Sequence, residues 1–136
     1  MDHERLARWI ADYERAWRTP GTGALADLFA PHARYSPAPF AQTVHGLPAI
    51  ATFWEAERDG PDEVFSLAWA PVAVQDDVAV ARVEVRYAGP PTRHYRDLWV
   101  IELDERGRCR SFEEWPFFPG QARAAERSRP DPGGYA

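Results

Sequence analysis

The strongest constraint on the fold is a pair of adjacent segments, residues 93–103 and 108–116, which are separated only by the turn residues 104–107. Successive side chains of a β-strand point to opposite faces, and polar and apolar residues alternate in this way in both segments. So short a turn predicts that the two strands form an antiparallel β-hairpin, with a two-residue loop at Glu105 and Arg106.

This hairpin brings two acidic side chains together. In the predicted register, Trp99 lies opposite Phe112, and Asp97 lies opposite Glu114. Two carboxylates opposite each other repel, and desolvation by aromatic rings disfavours their ionised forms further. We therefore expect a coupled pair in which one pKa is raised toward neutrality and Glu114 carries the proton. An acid that donates beside one that accepts is the arrangement a proton shuttle needs.

Composition limits the classes of protein that this chain can represent. Its 136 residues suit one domain, and six Trp, five Tyr and seven Phe exceed what a core of this size usually needs. A net charge of -5 argues against partners such as nucleic acid or an anionic membrane. The absence of Lys excludes lysine Schiff-base chemistry, and the lone Cys109 forms no internal disulfide. Without a signal-peptide core or a membrane-length apolar run, the sequence predicts a cytoplasmic protein, and its Arg-rich, Lys-free usage suggests a bacterial one.

The order of elements predicts an α+β fold. Apolar spacing of three and four predicts helices at 3–18, 24–29 and 48–58. Alternation then predicts strands at 63–74, 77–88, 93–103 and 108–116, after a brief extended piece at 34–36. The expected organisation is a single domain over residues 1–119, followed by a polar, flexible tail over residues 120–136.

Several motifs in this order resemble the SnoaL-like branch of the nuclear transport factor 2-like superfamily, over residues 4–117. The motifs are the Tyr13…Trp17 helix, L-F-A-P-H-A-R-Y (28–35), P-F…V-H-G (39–46), A-I-A-T-F-W (49–54) and G-R-C-R-S-F-E-E-W (107–115). The resemblance implies three N-terminal helices packed in a curved antiparallel sheet that leaves a conical pocket. It does not imply one activity, because this fold carries enzymes, binding modules and assembly domains.

Steroid isomerases of the superfamily offer a residue-by-residue comparison. Tyr13 matches their oxyanion-binding tyrosine, whereas Ala38 stands at the position of their general base and Trp99 at that of their second acid. The resemblance therefore argues against steroid isomerisation by that mechanism. The same alignment turns alternate residues of the late strands toward the pocket, namely Ala81, Val83, Val85, Tyr87, Tyr95, Asp97, Trp99, Phe112 and Glu114.

From these residues we predict an acid–base site with Asp97, Glu114 and Tyr13 as its catalytic groups. We expect aromatic side chains to bind the substrate, namely Trp17, Phe29, Phe40, Trp54, Tyr95, Trp99 and Phe112. An aromatic-lined pocket favours a hydrophobic small molecule such as a polyketide, terpenoid or steroid-like ring system. No group of His, Cys or carboxylate residues has metal-ligand spacing, so we predict no cofactor and no metal.

Three alternatives stay open at this point. The protein could be a noncatalytic binding module for a hydrophobic ligand, with Arg93 or Arg110 neutralising the acids. It could also be similar to limonene-type epoxide hydrolases, using Arg82, Glu84 and Glu114, although alternation turns Arg82 and Glu84 away from the pocket. An assembly domain without a ligand is the third.

A homodimer is also expected. Leu98, Val100 and Trp115 form an apolar centre on the outer face of the sheet, and a charged rim surrounds them, which is typical of an interface.

Overall fold

The computed structural model describes residues 1–58 and 64–121. The helices are α1 (His3–Arg18), α2 (Leu25–Leu28) and α3 (Leu47–Glu57). The strands are β1 (Phe29–Ser36), β2 (Val44–His45), β3 (Phe65–Gln75), β4 (Val78–Tyr87), β5 (Arg93–Leu103) and β6 (Cys109–Phe117). The α+β prediction is confirmed, and the predicted bounds of α1 and β5 match those observed. Most of the predicted tail, residues 122–136, lies outside the described residues.

The strands form one six-stranded, curved sheet in the order β2-β1-β6-β5-β4-β3. The meander β3–β6 and the β1–β2 pair are antiparallel, whereas β1 and β6 run parallel. The β1–β6 pair is thus a parallel junction within the antiparallel sheet that the resemblance implied. It arises because the meander returns its last strand to the free edge of β1, a contact distant in sequence that alternation within each strand does not reveal.

Helix α1 begins and packs as its sequence dictates. The carboxylate of Asp2, the N-cap residue, accepts a hydrogen bond from the backbone N–H of Arg5 at 2.8 Å. The residues at three- and four-residue spacing form the buried face of the helix against the sheet, and they are Leu6, Trp9, Ile10, Tyr13 and Ala16. This packing places the Tyr13 side chain over the concave face of the sheet.

The β5–β6 hairpin departs from the predicted register. Gly107 has φ +80°, the backbone N–H of Asp104 donates to the carbonyl of Arg108 at 2.7 Å, and the loop therefore contains three residues rather than two. A bulge at Arg110, between the pairs Leu103–Cys109 and Glu102–Ser111, then displaces the strand pairing by one further residue. Neither irregularity interrupts the alternating pattern strongly enough to be read from sequence.

These two displacements change the partners of the acids but keep their face. Trp99 lies opposite Glu114, and Asp97 lies opposite Pro116, so the direct opposition of Asp97 and Glu114 is wrong. A total shift of two residues restores parity, so both acids still lie on the inner face. Cys109 lies on the hairpin side of the bulge, and it is fully buried.

The outer face of the sheet is partly apolar. Leu98 and Val100 are half-buried there, and Trp115 is 40% exposed. The homodimer through this face stays a prediction. Among the residues that the structure describes, no helix is long and apolar enough to span a membrane.

Candidate functional site

A cavity of about 460 Å³ opens between the helices and the inner face of the sheet. Its volume is within the range of small-molecule sites. Aromatic and acidic side chains dominate its lining, which comprises Tyr13, Glu14, Trp17, Tyr35, Pro37, Ala41, Phe53, Glu57, Phe65, Leu67, Val85, Tyr87, Arg93, Tyr95, Asp97, Trp99, Glu114 and Pro116.

Asp97 and Glu114 meet diagonally across the β5–β6 pair. Their carboxyl groups are close enough to share a proton. The indole N–H of Trp99 donates to Oδ2 of Asp97 at 3.3 Å, and the backbone N–H of Phe117 donates to the same carboxyl group. Asp97 is 3% exposed, and its Oδ1 accepts no hydrogen bond from an N–H or hydroxyl group within residues 1–58 and 64–121.

The surroundings shift the two acids unequally. Burial raises the pKa of Asp97, while the hydrogen bonds from Glu114, Trp99 and the Phe117 backbone oppose this rise. Burial raises the pKa of Glu114 well above its ordinary value, and the hydrogen bond to Asp97 and the charge of Asp97 raise it further. Of the two acids, Glu114 is therefore the one whose neutral form the surroundings favour more.

Two phenol groups accompany the acid pair. The hydroxyl groups of Tyr13 and Tyr35 are 3.5 Å apart, and both side chains are buried. Burial raises the pKa of each phenol, and the nearby Glu114 carboxyl contributes to both shifts. Both groups therefore stay protonated at neutral pH and can donate a hydrogen bond to a ligand oxygen.

The predicted aromatic residues divide into lining and support. Trp17, Tyr95 and Trp99 line the cavity. Phe29, Trp54 and Phe112, predicted to line it, are fully buried in the core instead. Phe112 stacks on Tyr35 at a centroid distance of 4.9 Å, and Trp54 packs edge-on against Tyr13 at 5.1 Å, so these rings hold the two phenols in place.

Phe40 is a further correction to the predicted lining. Its side chain is fully exposed in the segment between β1 and β2, and it contributes nothing to the cavity wall. The non-strand segment 37–43 begins at Pro37 and contains Pro39, and the aromatic content and family order on which the prediction relied do not indicate where a side chain points outside a strand.

Other lining residues escaped the sequence prediction. Tyr35 was not among the predicted site residues, and its hydroxyl lies within 3.5 Å of the Tyr13 hydroxyl. Glu57 lies at the end of α3, one turn beyond the lining residue Phe53, and this i, i+4 spacing was the available signal. The guanidinium of Arg93 stacks over the ring of Tyr87 at 4.5 Å.

The epoxide-hydrolase alternative fails on geometry. Arg82 and Glu84 lie opposite Leu98 and Arg96, on the outer face, so they do not join Glu114. Glu84 instead bonds His94 and Arg86, each at 2.7 Å.

The basic residue Arg110 does not neutralise the acid pair either. Because of the bulge it lies outside, where it pairs with Asp77 at 2.9 Å and with Glu102 at 3.0 Å. Within the described part of the chain, no three His, Cys, Asp or Glu side chains are grouped to hold a metal ion.

The comparisons with known proteins agree on the fold. The family model for the SnoaL-like domain matches residues 10–111, whereas no curated protein matches the chain. The fold is similar to that of the epoxide hydrolase/cyclase-like enzyme SalBIII, which takes part in pyran ring formation in the polyether salinomycin (TM-score 0.70, 14% identity, covering 85% of this chain and 93% of that one).

Two further solved structures are similar. One protein, from Jannaschia sp. CCS1, is assigned as a SnoaL-like polyketide cyclase (TM-score 0.64, 16% identity, covering 81% of this chain and 85% of that one). The other, named Rd1NTF2_04 with long sheet, has TM-score 0.60 and 16% identity, covering 79% of this chain and 97% of that one. At such identities the likeness concerns the fold alone.

Proposed function

Because this chain belongs to the SnoaL-like domain family, we propose that it is an acid–base enzyme of the cyclase, isomerase or hydrolase type that acts on a hydrophobic ring compound or its open-chain precursor. The observation that carries the proposal is the adjoining pair of carboxyl groups, of Asp97 and Glu114, in the wall of an aromatic cavity. The similar structures include a polyketide cyclase and an epoxide hydrolase/cyclase-like enzyme, which is consistent with such chemistry.

Ring closure illustrates how the proposed step balances. Asp97 accepts the proton of a substrate hydroxyl as that oxygen attacks an electrophilic carbon. Glu114 donates its proton to the oxygen whose bond to that carbon breaks, and Tyr13 or Tyr35 supplies a hydrogen bond to the same oxygen. The new proton then passes from Asp97 to Glu114 through their shared hydrogen bond, which restores the starting state.

A second candidate is a noncatalytic carrier of hydrophobic ligands. The observation that favours it is the depth of the polar groups, since Asp97 is 3% exposed and Tyr35 is 2% exposed. Groups that satisfy one another so deeply can stabilise an aromatic cavity without transferring a proton to a ligand.

The test replaces each acid by its isosteric amide and uses the same substitution at the adjacent residue Glu113 as a control. Glu114→Gln, Asp97→Asn and the control Glu113→Gln are assayed by mass spectrometry against hydroxy-epoxides, poly-β-ketones and unsaturated ring ketones. For the compound that wild type converts, turnover should fall by a factor of about 10²–10⁴ in Glu114→Gln and stay unchanged in Glu113→Gln. Retained turnover in Glu114→Gln would contradict the proton-transfer role. Binding without conversion by wild type across the panel would favour the carrier.

A further inference from the structure

The charges that line the cavity are unevenly distributed. Four of the lining residues are acids, namely Glu14, Glu57, Asp97 and Glu114, and the cation that accompanies them among the described lining residues is Arg93. Glu14 is paired with Arg18 at 2.8 Å, and the adjoining carboxyl groups of Asp97 and Glu114 are counted together as one negative charge. The negative charges of Glu57 and of this pair therefore outnumber the Arg93 guanidinium, and the cavity keeps a negative excess.

Glu57 lies at a position where the fold does little to stabilise a negative charge. It is the last residue of α3, where the partial negative charge of a helix C-terminus disfavours an anion. No ion pair within the described residues involves it. The guanidinium of its neighbour Arg58 is bound by the Glu55 carboxylate and by carbonyl groups at the end of α1 and in the segment that follows, and its carbon lies 5.9 Å from the centroid of Trp17, so a ligand cation would take the part of that ring that faces the cavity.

The rings of this cavity already hold cations. The guanidinium carbon of Arg18 lies 3.9 Å from the centroid of Phe65, and that of Arg93 lies 4.5 Å from the centroid of Tyr87. Trp17 and Phe53 line the cavity with Glu57, at the final turns of α1 and α3. Aromatic faces attract the cationic group of a ligand, and a carboxylate beside them can add an ion pair.

The deeply buried acid is a second indication that the cavity receives a ligand, at the inner end away from Glu57. Asp97 lines the same cavity, it is 3% exposed, and its Oδ1 accepts no hydrogen bond from any N–H or hydroxyl group in the described part of the chain. This oxygen can accept a hydrogen bond from a donor on a ligand as well as from the protonated carboxyl group of Glu114.

We infer that Glu57, with Trp17 and Phe53, forms a subsite for a cationic group, so that the natural ligand is a hydrophobic ring compound bearing a protonated amine. This inference rests on the proposed function only in taking the cavity as the ligand site. The ring body fills the cavity above the Asp97–Glu114 pair, and the ammonium group lies at the end of α3.

The experiment compares three probes of similar size and different charge at pH 7: 2-naphthylmethylamine, 2-naphthylmethanol and 2-naphthylacetate. Dissociation constants are measured by calorimetry for wild type, for Glu57→Gln, and for Glu105→Gln, which removes the same charge from the distant hairpin tip. Wild type should bind the amine about tenfold more tightly than the alcohol, since an ion pair and a cation–π contact at a partly exposed site each contribute a few-fold.

Glu57→Gln should reduce this preference to about twofold or less, and Glu105→Gln should keep it. Equal or tighter binding of the alcohol or the acetate by wild type would overturn the inference. So would an amine preference that survives Glu57→Gln, or the failure of all three probes to bind. These readouts involve no proton transfer, so their failure leaves the role proposed for Glu114 standing, and loss of that role leaves the amine preference intact.

Discussion

Glu113 and Glu114 are adjacent in β6 and lie on opposite faces of the sheet. The outer residue accepts a hydrogen bond from the indole N–H of Trp115 at 3.1 Å, at the protein surface. The inner residue is enclosed by the cavity, and its pKa is raised well above the ordinary value by burial and by Asp97. One residue of displacement along the strand thus separates an acid at the surface from one whose neutral form the fold favours.

The same contrast holds between β4 and β5. On the outer face, the hydrogen bond from His94 and the neighbouring Arg86 lower the pKa of Glu84. On the inner face, burial raises the pKa of Asp97. Hydrogen-bonding partners that water could replace favour the ionised form of the outer carboxyl group. The lack of water around the inner carboxyl group disfavours its ionised form. Charge on the two faces therefore contributes to stability in opposite ways.

The largest difference between the two faces should appear in the free energy of unfolding when a packed side chain is truncated. Ile101 is fully buried on the inner side of β5, and its neighbour Val100 is half-buried on the outer side. Ile101→Ala should lower the free energy of unfolding by about 2–5 kcal/mol through lost burial and a cavity. Val100→Ala should lower it by about 1 kcal/mol or less. Urea unfolding followed by tryptophan fluorescence measures both, and equal losses would show that the outer face is as closely covered as the core.

The location of this core could be predicted from sequence because it depends on local periodicity. The helical spacing of Leu6, Trp9 and Tyr13 and the alternation around Trp99 each specify one buried face. The acid pair was identified in the same way, since an acid between inward-facing rings is visible in the pattern.

Pairing between distant segments could not be predicted in this way. The three-residue loop at Gly107 and the bulge after it each move the strand pairing by one residue. Because side chains alternate with a period of two, a combined shift of two residues leaves the alternating pattern unchanged and cannot be detected from it. The parallel contact of β1 with β6 brings Tyr35 beside Phe112, and nothing local to either residue indicates it. Which further residues line the cavity depends on where α3 ends over the sheet, and the sequence pattern does not determine that position.

A second difference between the faces should appear in the pH dependence of stability. Because the fold raises the pKa of Glu114, the folded state holds a proton that the unfolded chain releases as the pH rises above the ordinary glutamate value of 4.5. This contribution is complete below that pH and is lost as the pH rises toward the raised pKa. Between pH 5 and 8, Glu114→Gln should therefore lose less stability than wild type, while Glu113→Gln follows wild type. Parallel curves for wild type and Glu114→Gln would mean that the two glutamates share one environment.

The smallest effect should come from the outer charge cluster. The Glu84 carboxylate is 37% exposed and bonds both Arg86 and His94. Its lowered pKa gives the opposite sign, since the stabilisation is present above pH 4.5 and is lost as the pH falls through the lowered value. Water and salt screen such a pair, so Glu84→Gln should shift the urea midpoint at pH 7 by less than Val100→Ala does. The shift should disappear in 1 M NaCl, where the screening length is about 3 Å. A midpoint shift as large as that of Ile101→Ala, unchanged by salt, would show that Glu84 is shielded from solvent in solution and that the outer face is covered.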